Sequence, residues 1–324
     1  MRFVIYGAGG IGGTIGARLF QKDEDVVLVA RGAHLDAIRR DGLRLRAPDE
    51  DVRLPIPVVG HPAEIAFRGD EVVILCVKSQ QTATALDDLH AAAGDDVPVV
   101  CCQNGVANER AALRRFARVY GMVVILPALH LEPAEVITHA SGVGGVLDVG
   151  RYPGGTDELA TGVAARLSRA GFSSAADEAV MRQKYAKLLM NLNNALQAAT
   201  EMGEGADEIS RWLRNEALAC YRAASIDCAD AEEVRSKRSG GLRFAEVAGV
   251  RRGGGSSWQS VARGTGDIET DYLNGEIVLL GRLHGVATPA NRVVQQLGHE
   301  LVRRRLPVGS FTVADVKARI GAAR

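Results

Sequence analysis

A glycine-rich loop directly after the first apolar segment constrains the fold more than any other feature of this sequence. Residues 3–6 are apolar, and Gly7-Ala8-Gly9-Gly10-Ile11-Gly12 follows them with the pattern G-x-G-x-x-G and opens an apolar-periodic segment. Between a strand and a helix, such glycines permit a tight turn, close approach of the backbone to a pyrophosphate, and packing of the helix on the strand. The other glycine clusters, at residues 142–145, 253–255 and 264–266, lack this spacing.

The loop therefore predicts a dinucleotide site, with the pyrophosphate on the free N–H groups at the start of the helix. The residues expected to bind the cofactor there are Gly7, Gly9, Gly10, Ile11 and Gly12. An NAD site carries an acidic residue at the end of the second strand, where it accepts from the ribose 2′-hydroxyl. Here that segment ends in Arg31, whose planar guanidinium suits a 2′-phosphate. The sequence favours NADP(H), and the alternative for Arg31 is an ordinary surface arginine.

Short apolar runs alternate with helical patterns through the first half of the 324 residues. This alternation is typical of βαβ units and a parallel sheet. The runs occupy residues 3–6, 26–30, 72–77, 97–102 and 119–126. Additional edge strands are predicted at residues 43–46, 52–59 and 136–149, and a helix at 157–170.

From residue 177 onward the patterns are almost only helical. They cover residues 179–200, 207–224, 231–237, 268–284, 290–304 and 313–320. We therefore predict an α/β fold with an N-terminal Rossmann-type parallel sheet over residues 1–174 and an all-helical C-terminal domain over residues 175–324. The glycine-rich residues 236–257 predict one flexible segment, and the sequence does not decide whether it is a mobile lid.

Charge and composition exclude several classes of protein. The 39 Lys and Arg balance 39 Asp and Glu, so the chain lacks the positive excess that binds nucleic acid or a membrane surface. No apolar run approaches the roughly 20 residues of a membrane span, and no signal peptide is recognisable. The five cysteines form neither a C-x-x-C pair nor a zinc pattern, so no metal site is predicted. We expect a cytoplasmic protein with no nucleic-acid or membrane partner, and leave open whether it forms a homodimer.

Polar residues follow two of the predicted strands. Lys78 comes after the third apolar run, and Gln103-Asn104-Gly105 after the fourth. In an open α/β sheet, ligands bind beyond the carboxyl ends of the strands, which makes Lys78 and Asn104 candidate site residues. The alternatives are a solvated lysine and an ordinary Asn-Gly turn.

A helical segment in the second half carries a stripe of lysine and asparagine. Lys184, Lys187, Asn191 and Asn194 fall within about 80° of one another at 100° per residue. On pattern alone, a solvated helix face is the better interpretation. The chemical alternative is that a half-buried lysine ammonium donates a proton to a developing alkoxide.

A second polar cluster surrounds Ser257 and Glu269. Glu269 is expected in the first turn of a helix that ends at Gly285. An acidic residue there is favoured by the helix dipole alone, and the functional alternative is a carboxylate that pairs with Lys187 or with a substrate hydroxyl.

Taken in order along the chain, these motifs resemble the ketopantoate reductase family (2-dehydropantoate 2-reductase). The resemblance covers essentially the whole chain and includes the segment from Asp271 to Gly275 with the sequence Asp-Tyr-Leu-Asn-Gly. It implies an NADP-dependent oxidoreductase that reduces a small 2-oxo acid, with ketopantoate as the best single candidate. The roles it implies are Lys187 as general acid, Glu269 as its support, Asn191 and Ser257 as substrate-binding residues, Asn104 between the nicotinamide and the substrate, and Lys78 in the cofactor site.

Two positions depart from the family pattern around the substrate. Ala195 stands four residues after Asn191, where a second asparagine is common, and Val261 stands four residues after Ser257, where an aspartate is common. These departures concern the substrate and leave hydride transfer intact. Two alternatives therefore stay open: a related reductase for another carbonyl or imine, and a non-catalytic NADPH-binding sensor.

Overall fold

The computed structural model describes residues 1–238, 241–250, 253–264 and 267–323. They divide into two compact units. The first unit comprises Met1–Gln103, Asn108–Lys184 and Asp230–Arg252, and the second comprises Asn104–Ala107, Tyr185–Ala229 and Gly253–Arg324. Packing therefore assigns some residues beyond 175 to the first unit. The domain limits 1–174 and 175–324 remain a prediction about the chain.

The first unit is built on a twisted sheet with helices on both faces. Its strands are β1 (Arg2–Tyr6), β2 (Asp25–Val29), β3 (Leu43–Ala47), β4 (Glu50–Leu54), β5 (Val58–Val59), β6 (Glu71–Leu75), β7 (Val99–Cys101), β8 (Val119–Met122), β9 (Ala128–Leu129), β10 (Glu135–Thr138), β11 (Ala140–Gly142), β12 (Val149–Arg151) and, after α9, β13 (Leu242–Phe244). Its helices are α1 (Gly10–Phe20), α2 (Gly32–Asp41), α3 (Thr82–Ala93), α4 (Asn108–Leu113), α5 (Glu158–Arg169) and α9 (Ala231–Arg238), and α6 (Val180–Asn191) begins in it. Short 3-10 helices span Pro62–Glu64 and Ser79–Gln81.

The main sheet has the order β12-β8-β7-β6-β1-β2-β5, and all its pairs are parallel except β12 with β8. Counted along the parallel strands, this is the order 3-2-1-4-5-6 of dinucleotide-binding sheets. The strand order reverses between β1 and β6, which places the ligand-binding switch point at their carboxyl ends. The predicted Rossmann-type sheet is confirmed.

Alternate side chains of β1 explain why the sheet is buried on both faces. Phe3 and Ile5 pack in a core with α1, α2 and α5, whereas Val4 and Tyr6 pack in a second core against α3 and α4. A strand that is covered on both sides is apolar without alternation, which is the pattern that residues 3–6 show.

The predicted edge strands are confirmed in part. β5 is an edge strand of the main sheet, and β4 is an edge strand of a separate four-stranded sheet in the order β4-β3-β10-β9. β3 and β10 lie inside that second sheet, so the edge position predicted for them is wrong. β8 ends at Met122, so the predicted strand at residues 119–126 is too long.

Part of the segment predicted as flexible is structured, since β13 pairs with β11. Residues 239, 240, 251 and 252 of that segment lie outside the described residues.

The described residues of the second unit form helices and no strands. Its helices are the end of α6, α7 (Asn193–Thr200), α8 (Ala206–Ala223), α10 (Ser256–Ala262), a 3-10 helix (Glu269–Tyr272), α11 (Asn274–His284), α12 (Pro289–Arg303) and α13 (Val313–Ala323). None of the helices in the described ranges is both long and apolar enough to cross a membrane.

The predicted helix at residues 179–200 is divided at Leu192. The Nδ2 of Asn274 donates to the Leu192 carbonyl at 3.0 Å and to Asn291 Oδ1 at 3.1 Å. A side chain bonded into the helix ladder is an established cause of helix interruption. Asn291 in turn donates to the Leu213 carbonyl and to Glu216. This buried network therefore joins the end of α6 to α8, α11 and α12.

Candidate active site

The glycine loop lies at the switch point of the sheet, and two of its glycines are required by close contacts. Gly7 has a φ of +107°, and a Cβ there would lie 2.8 Å from the Val77 nitrogen. A Cβ on Gly12 would lie 2.1 Å from the Gly7 carbonyl oxygen. No side chain fits at such distances, so Gly12 lets α1 pack on the end of β1, and Gly7 lets the loop pass close to the backbone after β6.

Gly9 differs from these two, because no heavy atom lies within 4 Å of where its Cβ would be. It directly precedes α1, whose first N–H groups lack partners within the helix. An open glycine beside a helix N-terminus is the arrangement that accommodates a pyrophosphate. The loop therefore fits a dinucleotide on its own geometry.

Arg31 lies two residues after β2 and directly precedes α2. Its side chain is exposed. The position is the one that the sequence predicted, at the carboxyl end of the second parallel strand.

Buried hydrogen bonds connect the loop after β6 to the loop after β7. Gln103 Nε2 donates to the Val77 carbonyl at 2.9 Å and to Thr82 Oγ1 at 2.8 Å. Thr82 donates to Asn108 Oδ1, and Asn108 Nδ2 donates to Ser79 Oγ. Because Lys78 lies between Val77 and Ser79, its backbone is held on both sides.

Lys184 is buried in the first unit, where its ammonium binds other groups of the protein. Its Nζ lies 2.7 Å from Glu109 Oε1, and the two side chains are 2% and 0% exposed. The same ammonium donates to the carbonyls of Gln103 at 2.9 Å and Met122 at 3.2 Å, with a longer contact to Cys101. It therefore stabilises the carboxyl ends of β7 and β8, and the solvated-face interpretation is wrong for this residue.

Lys187 has a different environment, in the second unit. Its Nζ donates to Asn104 Oδ1, a neutral acceptor, and the side chain is only half-buried. The next residue, Gly105, has a φ of +80°, and a Cβ there would lie 2.8 Å from the Tyr272 carbonyl oxygen. The Asn-Gly pair thus places Asn104 on Lys187 and packs against the 3-10 helix Glu269–Tyr272.

Glu269 begins that 3-10 helix, whereas α11 starts only at Asn274. The prediction that Glu269 lies in the first turn of the following α-helix is therefore wrong. The predicted end of the α-helix at Gly285 is confirmed, because Gly285 caps α11 with a φ of +69°. The separate 3-10 helix could not be predicted, because the helical pattern continues through residues 268–284.

Two predicted substrate residues have buried polar atoms with no partner in the described part of the chain. These atoms are Asn191 Oδ1 and Ser257 Oγ, and Ser257 is 2% exposed. A buried polar atom without a partner is costly. Both atoms are therefore candidates to bind a ligand.

The neighbours of Ser257 are held from α7. Asn194 Nδ2 donates to Ser256 Oγ at 3.3 Å, and the Gly255 N–H donates to Gln197 Oε1 at 2.8 Å. Ala195 is 1% exposed and packs in the core. Asn194 therefore binds the protein itself, and it cannot stand in for the asparagine that the family carries one residue later.

Sequence reasoning missed the pairing of Lys184 with Glu109 and the network around Asn274. The residues around Lys184 do not indicate its partner, because Glu109 is distant in sequence. An asparagine at the start of a helical pattern is ordinarily a cap, so its contact with Leu192 could be found only from the packing.

The glycine loop at the switch point of a 3-2-1-4-5-6 sheet defines a dinucleotide-binding protein of the Rossmann class. Two family models match the chain over most of its length: ketopantoate reductase PanE/ApbA at residues 3–154, and its C-terminal domain at residues 179–302. The chain therefore belongs to the ketopantoate reductase family, and it is an oxidoreductase. The cofactor of this family is NADPH.

Two 2-dehydropantoate 2-reductases and one solved structure are similar to the chain over nearly their full length. The chain is 29% identical to the 2-dehydropantoate 2-reductase of Halobacterium salinarum over 301 residues, which covers 92% of this chain and 97% of that protein. It is 27% identical to the enzyme of the same name from Pyrococcus horikoshii, covering 90% and 94%. A crystal structure of a PanE/ApbA family ketopantoate reductase from Ralstonia eutropha JMP134 matches with a TM-score of 0.79 at 28% identity, covering 94% and 99%.

The ion pair of Lys184 and Glu109 gives a prediction for stability. Lys184→Met leaves the Glu109 carboxylate buried without its cation, and loss of one partner of such a pair costs about 3–5 kcal/mol. We expect urea unfolding to show a loss of that size. The double variant Lys184→Met/Glu109→Leu removes both charges and should recover part of it. Lys187→Met, on the same helix, is the control and should cost about 1 kcal/mol. A Lys184→Met protein as stable as the control would contradict the prediction.

Proposed function

We propose that this chain reduces a small 2-oxo acid to the 2-hydroxy acid, with NADPH as the reductant and ketopantoate as the best single substrate candidate. The contrast between its two lysines carries the proposal. Lys184 is fully buried in an ion pair with Glu109, whereas Lys187 is half-buried and its Nζ donates to Asn104 Oδ1. The names of the relatives from Halobacterium salinarum and Pyrococcus horikoshii support the same substrate.

Lys187 is the proposed general acid. When a carbonyl is reduced, its oxygen becomes an alkoxide and needs a proton, and a lysine ammonium close to it can supply one. The Asn104 amide holds the ammonium without neutralising it, because an amide oxygen accepts a hydrogen bond but carries no charge. Glu269 is the proposed support for Lys187. The alternative donor, Lys184, is disfavoured because its buried ammonium is paired with Glu109 and donates to main-chain carbonyls.

Asn191 and Ser257 are the proposed substrate-binding residues. Both offer hydrogen-bonding atoms that the described protein leaves unused. The Ser257 hydroxyl can donate to a carboxylate or ketone oxygen, and Asn191 Oδ1 can accept from a substrate hydroxyl. Neutral groups of this kind give orientation without a fixed charge.

The pocket is proposed to be more apolar than that of typical family members. Ala195 and Val261 replace polar residues of the family pattern, and the structure buries Ala195 in the core. The asparagine that would add a polar group at residue 195 is thus absent. We therefore propose that 2-oxo acids with side chains larger than that of ketopantoate are accepted.

When bound, NADPH supplies the hydride. The residues proposed to hold it are Gly7, Gly9, Gly10, Ile11 and Gly12 at the pyrophosphate, Arg31 at the 2′-phosphate, Lys78 along the cofactor site, and Asn104 between the nicotinamide and the substrate. The open side of Gly9 and the position of Arg31 after β2 support this assignment.

We propose a cytoplasmic location, which five free thiols support because reducing compartments preserve them.

The proposed reaction is tested by following NADPH consumption with ketopantoate and a series of larger 2-oxo acids. Turnover of at least one of them is expected. The ratio of kcat/KM for ketopantoate to that for larger acids tests the altered pocket, and strong preference for ketopantoate would contradict it. NADPH binding without turnover of any 2-oxo acid would favour a sensor or a reductase for another substrate class.

Lys187→Ala should lower kcat by about 10²–10⁴-fold, the usual contribution of a general acid. The Kd for NADPH should stay nearly unchanged, because the phosphate loop is untouched. Lys187→Arg is a sharper variant, since a guanidinium keeps the charge but does not give up its proton. It should bind substrate and still turn over slowly. Wild-type turnover by either variant would show that another group protonates the product.

Arg31→Ala should raise the Kd for NADPH by about 10- to 100-fold, because a charge-assisted hydrogen bond contributes about 1.5–3 kcal/mol. The Kd for NADH, which has no 2′-phosphate, should barely change. Arg40→Ala is the matched control, since Arg40 lies exposed on α2 and pairs with Asp41. Isothermal titration with both cofactors measures the two constants. Equal losses for NADPH and NADH would mean that Arg31 does not contact the 2′-phosphate.

A further inference from the structure

A histidine without an assigned role contacts the phosphate loop from the first turn of α2. His34 Nε2 lies 2.8 Å from the Ala8 carbonyl oxygen, and the Ala134 N–H lies 2.9 Å from His34 Nδ1. A carbonyl only accepts and an N–H only donates, so these partners fix the tautomer. The proton is on Nε2, which donates to Ala8, while Nδ1 accepts from Ala134.

The environment keeps this ring neutral. Burial is the main cause that lowers the pKa of His34 to about 4, and the neighbouring His130 ring lowers it further. The two ring centroids are 4.2 Å apart. At neutral pH both hydrogen bonds of His34 are therefore present.

The hairpin on the other side of His34 also contacts the loop. A Cβ on Gly10, where α1 begins, would lie 3.1 Å from the Leu129 carbonyl carbon of β9. Ala134, next to β10, has a φ of +56°, which is uncommon for a residue other than glycine. Such a conformation persists where the surroundings over-determine it, frequently near functional sites. Its N–H is held by His34, and its carbonyl accepts from the Arg44 N–H.

The Ala8 carbonyl matters because it belongs to the same peptide unit as the Gly9 N–H. In a planar trans peptide these two groups point in opposite directions. A bond that holds the carbonyl therefore also sets the direction of the Gly9 N–H, at the glycine whose Cβ side is open.

We propose that His34 is a positioning residue for the dinucleotide: by binding the Ala8 carbonyl, it orients the Gly9 N–H toward the cofactor pyrophosphate. The proposal rests on NADPH binding and not on the proposed substrate or general acid. It gives a role to His34, three residues after Arg31, for which the sequence alone predicted none.

Substitution of His34 by glutamine or by asparagine tests its two hydrogen bonds one at a time. Glutamine places its Nε2 where the histidine Nε2 stands, and asparagine places its Oδ1 where the histidine Nδ1 stands. His34→Gln thus keeps the donor to Ala8, while His34→Asn keeps the acceptor for Ala134 and loses that donor. The matched control is His90→Asn, the same change on the exposed end of α3.

The experiment is isothermal titration of each variant with NADPH, together with the thermal unfolding midpoint of the cofactor-free protein. We expect His34→Asn to raise the Kd about fivefold, the size of one hydrogen bond. His34→Gln and His90→Asn should stay within about twofold. A purely structural role would lower the unfolding midpoint of both His34 variants without separating their Kd values, and that result would overturn the proposal. So would an unchanged Kd in His34→Asn.

The outcome is independent of the substrate. A protein that binds NADPH but reduces no 2-oxo acid would disprove the proposed reaction and leave this test intact. A wild-type protein that does not bind NADPH would overturn the role of His34 and the cofactor assignment together.

Discussion

The close packing of α1 on β1 is the contact on which the cofactor site depends. A Cβ on Gly12 would lie 2.1 Å from the Gly7 carbonyl, well inside the distance that any side-chain atom tolerates. Only glycine at position 12 allows the helix to start directly above the end of the strand, and Gly7, with its positive φ, lets the loop pass the backbone after β6. This contact places α1 at the switch point of the sheet. The β9–β10 hairpin and His34 then contact the loop on its protein side, and the Cβ side of Gly9 stays open. The loop is thus shaped by contacts on its protein side, which leaves its other side for the ligand.

Burial assigns different chemistry to two lysines that are three residues apart on α6. Lys184 lies beneath the carboxyl ends of β7 and β8, where main-chain carbonyls would otherwise lack donors, and its charge is balanced by Glu109. Lys187, one turn later, reaches a neutral amide and stays half-buried. A proton donor must be able to lose and regain its proton, whereas a buried ion pair is stable only while both partners are charged. The same side chain therefore serves structure at position 184, and at position 187 it is the proposed proton donor.

The sequence was sufficient for the sheet and its loop because these depend on local patterns. Apolar runs and the spacing of Gly7, Gly9 and Gly12 are read directly from neighbouring residues, and the structure confirms the Rossmann sheet. The site in the helical unit depends instead on contacts between residues far apart in sequence. Asn104 meets Lys187 across 83 positions, and Asn274 meets Leu192 across 82. Apolar periodicity does not report contacts between residues far apart in sequence. For this reason it predicted one unbroken helix over residues 179–200 and placed Glu269 in the first turn of an α-helix, where the structure has a 3-10 helix.

The contacts around α7 explain one departure from the family pattern, the alanine at residue 195. Asn194 is adjacent to residue 195, where the family pattern has its second asparagine, and only a rotation of the helix would bring Asn194 to that place. The structure argues against that, because Asn194 donates to Ser256 while Ala195 faces the core. Replacing a polar group by a buried methyl removes a hydrogen bond and leaves no polar atom to be satisfied. The oxygens of Asn191 and Ser257, which have no partner among the described residues, are therefore candidate polar contacts for a ligand, and residue 195 adds no amide to them. If the pocket is as apolar as proposed, it would discriminate by the volume of the substrate side chain, and an apolar pocket separates ligands that differ by a methylene by only about 1–3 kcal/mol.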